Sequence, residues 1–304
     1  MPSRVVVLNP HYFYQPYAAE RRAAEALGAT FHADGPPDDD LLAEATVLLT
    51  HQAPIDRAFL QKLPACKLIV SYSTGVDHMD LAAAAERGIL ARGVAGYCTE
   101  DVAEHTLAMI LSCARRLHQT DRALRDSLHW DITTSHPNRR RLSQQTLGLV
   151  GVGRIGSALA AKALALGMRV LAYDPYAVPT CAAQIVATLD EVLAQSDYVS
   201  LHTPLTPETE GMIGARELAL MQPTAFLINC ARGSLVDEPA LVHALDANQI
   251  AGAALDVRVE EPISAGDPLV CRPDVLSTPH AAAFTVDALV DLRNMVIGYM
   301  QEVL

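Results

Sequence analysis

The sequence predicts an α/β protein with two doubly wound parallel sheets, each covered by helices on both faces. Two observations predict this fold. Short β-branched and aliphatic runs alternate with Ala-rich helical stretches over most of the 304 residues, a pattern typical of right-handed βαβ units. The runs form two series separated by a helical stretch at 99–117, and the chain is long enough for two domains of ordinary size.

In the first series we expect buried strands at 5–8, 47–49 and 68–70, because each is a short apolar run of the kind found in parallel sheets. A helix is expected over 18–27, which is rich in Ala, Glu and Arg. A last helix is expected over 286–304. The second series contains further strand-like runs at 147–150, 170–173, 198–201, 225–228 and 253–256.

The composition excludes several classes of function. Asp and Glu number 35 against 23 Lys and Arg, so the net charge is −12, which argues against a nucleic-acid binder and against attachment to anionic membranes. We expect neither a signal peptide nor a membrane span. The six cysteines are scattered without a Cys-x-x-Cys pair, so we expect reduced thiols, a cytoplasmic location and no metal site.

A nucleotide-binding pattern opens the second series. Gly151, Gly153 and Gly156 form Gly-x-Gly-x-x-Gly between the strand-like run at 147–150 and an Ala-rich stretch, the context in which such a turn holds a dinucleotide pyrophosphate at a helix N-terminus. Asp174 ends the next strand about 20 residues later, where a carboxylate accepts a hydrogen bond from the ribose 2′-OH. That charge would repel a 2′-phosphate, so the sequence predicts NAD rather than NADP.

Three polar residues follow later strands of this series: Arg232, Glu261 and His280. Open α/β sheets bind ligands at the carboxyl ends of their strands. Taken singly, each residue has an ordinary explanation as part of a loop, a helix start or a turn. Together, a cation, a carboxylate and an imidazole are the groups that reduction of a 2-oxo acid requires.

The order of the motifs resembles that of the D-isomer-specific 2-hydroxyacid dehydrogenases. Within that family, the stretches at 97–105 and 280–282 look most like the branch of the C-terminal-binding proteins. The matching motifs lie at 73–80, 102–106, 151–156, 202–206, 229–233, 254–257, 261–262 and 278–280.

The resemblance implies a fold, a domain division and an assembly. A Rossmann NAD-binding domain would span 96–283, and a flavodoxin-like substrate domain would combine 1–95 with 284–304. It also implies a homodimer formed around 99–145, and an NAD(H)-dependent oxidoreductase that interconverts a small 2-oxo acid and its D-2-hydroxy acid.

Roles for the three polar residues follow from the same resemblance. His280 would be the general acid and base, and Glu261 would orient its ring and raise the pKa of the imidazole. Arg232 would bind the substrate carboxylate, with backbone N–H groups of Thr74 and Gly75 completing the site. The substrate pocket is thus expected to contain Tyr72, which directly precedes this loop, together with Thr74, Gly75, Arg232 and His280.

The cofactor site implied by the resemblance is larger, and for His202 and Asp256 simple capping of a strand end remains the alternative. Its expected members are Gly151, Gly153, Arg154, Ile155, Gly156, Asp174, His202, Thr203, Pro204, Cys230, Ala231, Arg232, Asp256 and His280.

Two features leave the identity of the substrate undetermined. Ala283 stands where the C-terminal-binding proteins carry a Trp that closes over the substrate, so their preference is not transferred. The aromatic segment from His11 to Tyr14 either faces the cleft or covers a surface loop. The alternative to an enzyme is an NADH-sensing interaction protein of the C-terminal-binding type with little turnover.

Overall fold

The computed structural model describes residues 3–9, 16–128, 130, 139–176 and 182–304. The chain divides into two compact units. The split unit combines Met1–Cys98 with Phe284–Leu304, and the central unit is Thr99–Ala283.

The split unit is built on a five-stranded parallel sheet. Its strands are β1 (Arg4–Val7), β2 (Thr30–His32), β3 (Val47–Thr50), β4 (Leu68–Ser71) and β5 (Leu90–Gly93). They lie in the order β2-β1-β3-β4-β5, which is the flavodoxin-like order. The helices of this unit are α1 (Ala18–Ala26), α2 (Asp39–Ala43), α3 (Arg57–Leu60), α4 (Leu81–Glu86) and the C-terminal α11 (Val286–Gln301).

The central unit contains a seven-stranded parallel sheet. Its strands are β6 (Thr146–Val150), β7 (Arg169–Tyr173), β8 (Gln184–Ile185), β9 (Tyr198–Leu201), β10 (Phe226–Asn229), β11 (Gly252–Leu255) and β12 (Val275–Ser277). The order is β12-β11-β10-β9-β6-β7-β8, so the chain order reverses beside β6, as in a Rossmann sheet. The helices are α5 (Thr99–Arg115), α6 (Leu117–Ser127), α7 (Arg154–Ala165), α8 (Leu189–Gln195), α9 (Ala215–Leu220) and α10 (Glu238–Asp246).

Both sheets are buried on both faces, which explains why their inner strands read as continuous apolar runs. In β1, Val5 and Val7 belong to one core cluster, whereas Val6 belongs to the cluster on the opposite face. Leu147 and Val150 of β6 likewise face different clusters of the central unit. The predicted fold class, two doubly wound parallel-sheet domains, is confirmed.

The sequence predicts the inner strands of both sheets and misses the edge strands. Each of the eight predicted strands is present within one residue at either end. The four strands that were not predicted, β2, β5, β8 and β12, are the edge strands of the two sheets. They are two to four residues long, and Leu90 of β5 is 48% exposed, so they lack the apolar run that burial on both faces produces. Across the described ranges, no helix is both long and apolar enough to cross a membrane.

Candidate active site

The turn between β6 and α7 is formed by closely packed backbone. Gly151 adopts φ 94°, a left-handed conformation that favours glycine. A Cβ on Gly151 would lie 2.7 Å from the carbonyl oxygen of His202, and a Cβ on Gly156 would collide with the carbonyl oxygen of Gly151. Helix α7 can therefore approach β6 and β9 this closely only where these two positions carry no side chain.

Gly153 differs from the other two glycines, because an added Cβ would find no atom within 4 Å among the described residues. It is the N-cap of α7, and no described side chain caps this helix end. The first N–H groups of the helix therefore point, with the positive end of the helix dipole, toward the open space beside Gly153. This backbone fits a dinucleotide pyrophosphate. Arg154 in the first turn is exposed and Ile155 is half-buried.

Asp174 follows β7 and is held in one orientation by two backbone groups. Val152 N–H donates to its Oδ2 and Tyr176 N–H donates to its Oδ1, each at 2.9 Å. Because each carboxylate oxygen can accept a further hydrogen bond, both remain able to bind hydroxyl groups. The carboxylate thus lies beside the glycine turn with its position already set.

His202 follows β9 and packs against the glycine turn through its backbone. Its Nε2 lies 2.9 Å from Ser200 Oγ. Burial lowers the pKa of His202 to about 4, because the charged imidazolium loses hydration there, so the ring is neutral at neutral pH. The two residues that follow it, Thr203 and Pro204, are half-buried and exposed respectively.

A second loop, after β10, carries Cys230, Ala231 and Arg232. The side chain of Asn229 is 1% exposed and shapes this loop: its Oδ1 accepts from Ala231 N–H at 3.0 Å, and its Nδ2 donates to Arg232 O at 2.8 Å. Burial raises the pKa of Cys230 to about 12, and its Sγ lies 3.5 Å from Met109 Sδ. Cys230 is therefore a neutral packed thiol at neutral pH.

The three predicted catalytic residues follow three neighbouring strands. Arg232 comes after β10, Glu261 after β11 and His280 after β12, and these strands lie side by side in the sheet. His280 Nδ1 is 2.7 Å from Glu261 Oε2, with one third of each side chain exposed (33% and 34%). The sheet order thus brings together residues that are distant in sequence.

The electrostatics of Glu261 keep it ionised. Burial alone would raise the pKa of its carboxyl, but the hydrogen bond from His280, the hydrogen bond from Arg258 N–H and the charges of His280 and Arg232 together lower it below the usual value. An ionised Glu261 accepts from His280 Nδ1. Nε2 is then the ring nitrogen left to exchange a proton with a ligand.

Asp256 organises the loop that carries His280. It is 1% exposed and accepts hydrogen bonds from Thr278 Oγ1 at 2.5 Å, from Ala281 N–H at 2.9 Å and from Ala282 N–H at 3.0 Å. His280 itself has φ 52°, a conformation that costs energy outside glycine, and its N–H donates to Asp256 O at 2.7 Å. The structure therefore gives Asp256 a loop-holding role; its predicted contact with the cofactor stays a prediction.

His105 is a member of this network that the sequence reasoning did not assign. Its Nε2 lies 3.1 Å from Thr278 Oγ1 and 3.5 Å from Asp256 Oδ1. Because the Thr278 hydroxyl gives its proton to Asp256, His105 Nε2 must be the donor to Thr278. The motif at 102–106 contained His105, but only the fold shows that helix α5 brings it to the end of β12.

The predicted substrate residues of the split unit directly follow β4. Tyr72 is 1% exposed and its hydroxyl donates to Glu20 Oε1 at 3.2 Å, so it is part of the core, which does not support its prediction as a pocket residue. Thr74 is exposed and its Oγ1 donates to Val94 O at 3.2 Å, while Gly75 O accepts from Ser73 Oγ at 2.7 Å. The segment from His11 to Tyr14 lies outside the described residues.

The sequence model of the D-isomer specific 2-hydroxyacid dehydrogenase NAD-binding domain matches residues 107–282. The chain belongs to the D-isomer-specific 2-hydroxyacid dehydrogenases. The family resemblance seen in the motifs is thereby confirmed, and with it oxidoreduction between 2-hydroxy and 2-oxo acids that depends on NAD or NADP.

Curated members of the family are similar in sequence. A glyoxylate reductase of Korarchaeum cryptofilum is 38% identical over 249 residues, which are 80% of this chain and 74% of that protein. A D-3-phosphoglycerate dehydrogenase of Mycobacterium bovis is 38% identical over 262 residues, 84% of this chain but 49% of that protein. The chain thus spans about half the length of such phosphoglycerate dehydrogenases.

Solved structures of this family share the fold. A D-lactate dehydrogenase from Aquifex aeolicus, complexed with NAD and lactic acid, has a TM-score of 0.86 at 32% identity, covering 98% of this chain and 94% of the other. An NADPH-dependent glyoxylate/hydroxypyruvate reductase from Sinorhizobium meliloti, in complex with NADP and malonate, also has a TM-score of 0.86, at 26% identity, covering 99% and 93%. Both coenzymes therefore occur among similar members of the family.

Proposed function

We propose that this protein is an NAD(H)-dependent oxidoreductase that interconverts a small 2-oxo acid and its D-2-hydroxy acid. The observation that most supports the proposal is the pair formed by His280 and Glu261, 2.7 Å apart, at strand ends next to the one that carries Arg232. In this proposal the central unit is the cofactor-binding domain, and the split unit is the substrate domain.

The residues present at the glycine turn fit the dinucleotide that the family uses. Gly151, Gly153 and Gly156 would hold the pyrophosphate, and Asp174 the adenosine ribose. The bound nicotinamide would supply the hydride in reduction and accept it in oxidation.

His280 moves the proton of the reaction. Reduction of a carbonyl adds a hydride to carbon and a proton to oxygen, and His280 Nε2 donates that proton while Nδ1 stays hydrogen-bonded to Glu261. In the oxidative direction Nε2 takes the proton from the hydroxyl group. The ionised Glu261 accepts from Nδ1–H and so fixes the orientation of the ring.

Arg232 binds the carboxylate of the substrate. A planar guanidinium can pair with both oxygens of a carboxylate, which orients the neighbouring carbonyl carbon and oxygen for the transfer. The small Ala283, three residues after His280, leaves more room beside the catalytic histidine than an aromatic residue would.

Asp174 supports NAD over NADP. The carboxylate is fixed by Val152 N–H and Tyr176 N–H, so it cannot turn away from a 2′-phosphate without losing both hydrogen bonds. A second negative charge at this position is therefore disfavoured.

The test is the consumption of NADH by the purified 304-residue chain with glyoxylate, pyruvate, hydroxypyruvate and phenylpyruvate. We expect turnover of at least one acid, with a higher kcat/KM for NADH than for NADPH. Any product formed from pyruvate, hydroxypyruvate or phenylpyruvate should have the D configuration, whereas the product from glyoxylate is achiral. Folded protein that turns over none of them with either coenzyme would contradict the proposal.

We also propose that the protein works as a homodimer formed around residues 99–145. Helix α6 has no buried residue within the described chain, and Leu117 is 57% exposed, Leu128 85% and Trp130 90%. A second copy of the same chain would cover these apolar groups. Sedimentation equilibrium tests this: the dimer should weaken in Trp130→Ala, and a wild-type monomer at micromolar concentration would refute it.

The five cysteines in the described ranges are free thiols, which supports a cytoplasmic location.

A further inference from the structure

Arg258 lies two residues after Asp256, in the loop that follows β11, and its side chain is 8% exposed. The guanidinium is shared between two carboxylates. Its Nε and Nη2 donate to Glu238 Oε1 and Oε2 at 2.8 and 2.9 Å, and its Nη1 and Nη2 donate to Asp267 Oδ1 and Oδ2 at 2.9 and 2.7 Å. Such a planar double clamp on two partly buried acids can be made by Arg and not by Lys.

The two acids in turn bind the backbone of the loop. Glu238, the first residue of α10, accepts from Val259 N–H at 3.0 Å. Asp267 accepts from Leu269 N–H and Val270 N–H, both at 2.9 Å. The start of α10 and both arms of the loop from 256 to 270 are therefore fixed to one guanidinium.

Two parts of the candidate active site contact this clamp. Arg258 N–H donates to Glu261 Oε1 at 2.8 Å, so the carboxylate that accepts from His280 through Oε2 is held through its other oxygen by Arg258. Gly233, directly after Arg232, lies against the peptide between Arg258 and Val259, where a Cβ would overlap the carbonyl group of Arg258. The loops that carry Arg232 and Glu261 thus meet at Arg258.

We propose that Arg258 is a positioning residue of the active site: its clamp on Glu238 and Asp267 fixes the peptide that orients Glu261 against His280 and on which the Arg232 loop rests. This inference rests on the proposed function. Arg258 does not need to touch the substrate for this role. Without the guanidinium, the partly buried carboxylates of Glu238 and Asp267 would lie near each other without a positive partner, and the loop would have to move to hydrate them.

Arg272 provides a matched control. It also bridges two carboxylates of the central unit, those of Asp246 and Asp274, and it is 21% exposed. Both arginines have a pKa raised by hydrogen bonds to these acids. The guanidinium of Arg272 binds Asp246 and Asp274, and its segment precedes β12, whereas His280 follows β12.

The experiment compares Arg258→Met, Arg272→Met and the triple variant Arg258→Met/Glu238→Gln/Asp267→Asn, which removes the unpaired charges and keeps the variant foldable. We expect both Arg258 variants to lose about tenfold to a hundredfold in kcat, with a smaller change in the KM for NADH, because a catalytic pair displaced by about 1 Å loses that much. Arg272→Met should keep wild-type kcat even where its Tm falls. Wild-type kcat in the folded triple variant would overturn the proposal.

The pH profile separates positioning from a general loss of stability. The Arg258 N–H helps to lower the pKa of Glu261, together with His280 and Arg232, so its displacement should raise that pKa. The pH at which kcat/KM falls on the acid side of the profile should then be higher in the Arg258 variants and unchanged in Arg272→Met. The same acid-side pH in the wild type and all three variants would overturn the proposal.

A readout without turnover distinguishes this inference from the proposed function. Ring signals of His280, assigned in 15N-histidine NMR spectra by comparison with His280→Asn, should shift in the Arg258 variants and not in Arg272→Met. If wild-type protein shows no turnover but the signals shift as expected, the proposed function fails and the positioning role stands. Unchanged His280 signals in the folded triple variant would overturn the positioning role, whatever the activity.

Discussion

The glycine turn after β6 is built in the opposite way to the loops after β10, β11 and β12, which carry the proposed catalytic residues and form what we call the catalytic edge. The turn is made of backbone: Gly151 and Gly156 let a strand, a helix and the peptide of His202 approach closely, while Gly153 borders open space. The catalytic edge is made of side chains from three loops, and each loop is held by another buried polar side chain, Asn229, Arg258 or Asp256.

This difference predicts which kind of substitution disrupts each region. The turn should be damaged by added atoms and should tolerate loss of polar groups. The catalytic edge should be damaged by loss of a single polar group, because its geometry depends on hydrogen bonds between distant residues.

The largest effect is expected at the catalytic edge. His280→Ala removes the proton donor and should lower kcat by about 10²–10⁴-fold while the Kd for NADH changes little. Stopped-flow or steady-state kinetics and NADH fluorescence titration measure the two quantities. The control is His243→Ala on the exposed side of α10, which should keep both. Equal losses of kcat and NADH affinity in His280→Ala would remove the distinction between the two regions.

His202 makes the turn sensitive to acid. Its folded pKa of about 4 lies below the ordinary 6.5, so between these values the unfolded chain binds a proton that the folded chain does not. The free energy of unfolding should therefore fall as the pH drops from 6.5 to 4, by up to about 3 kcal/mol from this group. Urea unfolding at several pH values measures this, and His202→Asn should have a shallower slope than wild type. An identical slope would show that His202 is not the titrating group.

The two glycines Gly156 and Gly153 should respond differently to one added methyl group. Gly156→Ala forces Cβ against Gly151 O and should cost about 1–3 kcal/mol of stability without ligand. Gly153→Ala places Cβ in open space, so its ligand-free Tm should stay near that of wild type while its Kd for NADH rises. Thermal unfolding and fluorescence titration provide the measurements. Wild-type NADH affinity in Gly153→Ala would contradict the assignment of that space to the pyrophosphate.

The smallest effect is expected from a charge change beside the turn. Asp174→Asn keeps the size of the side chain and removes its charge, so the ratio of kcat/KM for NADH to that for NADPH should fall by about tenfold. Asp190→Asn, on α8, serves as the control. An unchanged ratio in Asp174→Asn would show that discrimination between the coenzymes lies elsewhere.

The two regions also differ in how much of them could be predicted. The glycine turn is encoded within six consecutive residues, and both its position and its flanking strand and helix were read from the sequence. Arg232, Glu261 and His280 were identified as candidates, but their meeting depends on β10, β11 and β12 lying side by side, and β12 was not predicted. It is an edge strand of three residues whose Leu276 and Ser277 are half-buried.

The residues that hold the loops could not be inferred from their spacing. Arg258 precedes Glu261 by three positions, yet its partners Glu238 and Asp267 reach it only through the packing of α10 and the return of the chain. Tyr72 shows the opposite problem. Its place before the Thr74 loop suggested a pocket residue, whereas the structure buries it with Glu20, because an aromatic side chain directly after a central strand fills the core as readily as a cleft.

The position of β12 has a consequence for thermal behaviour. As an edge strand it pairs with β11 alone, over three residues, and His280, which follows it, lies in a loop whose geometry depends on the carboxylate of Asp256. Opening of this edge leaves the rest of the sheet paired, so it requires less free energy than global unfolding. Heating should therefore abolish activity at a lower temperature than the one at which the whole protein unfolds. Amide hydrogen exchange should be faster at 275–282 than in β6 and β9. The proposed proton donor therefore lies at an edge of the sheet, and we expect that edge to open before the central strands.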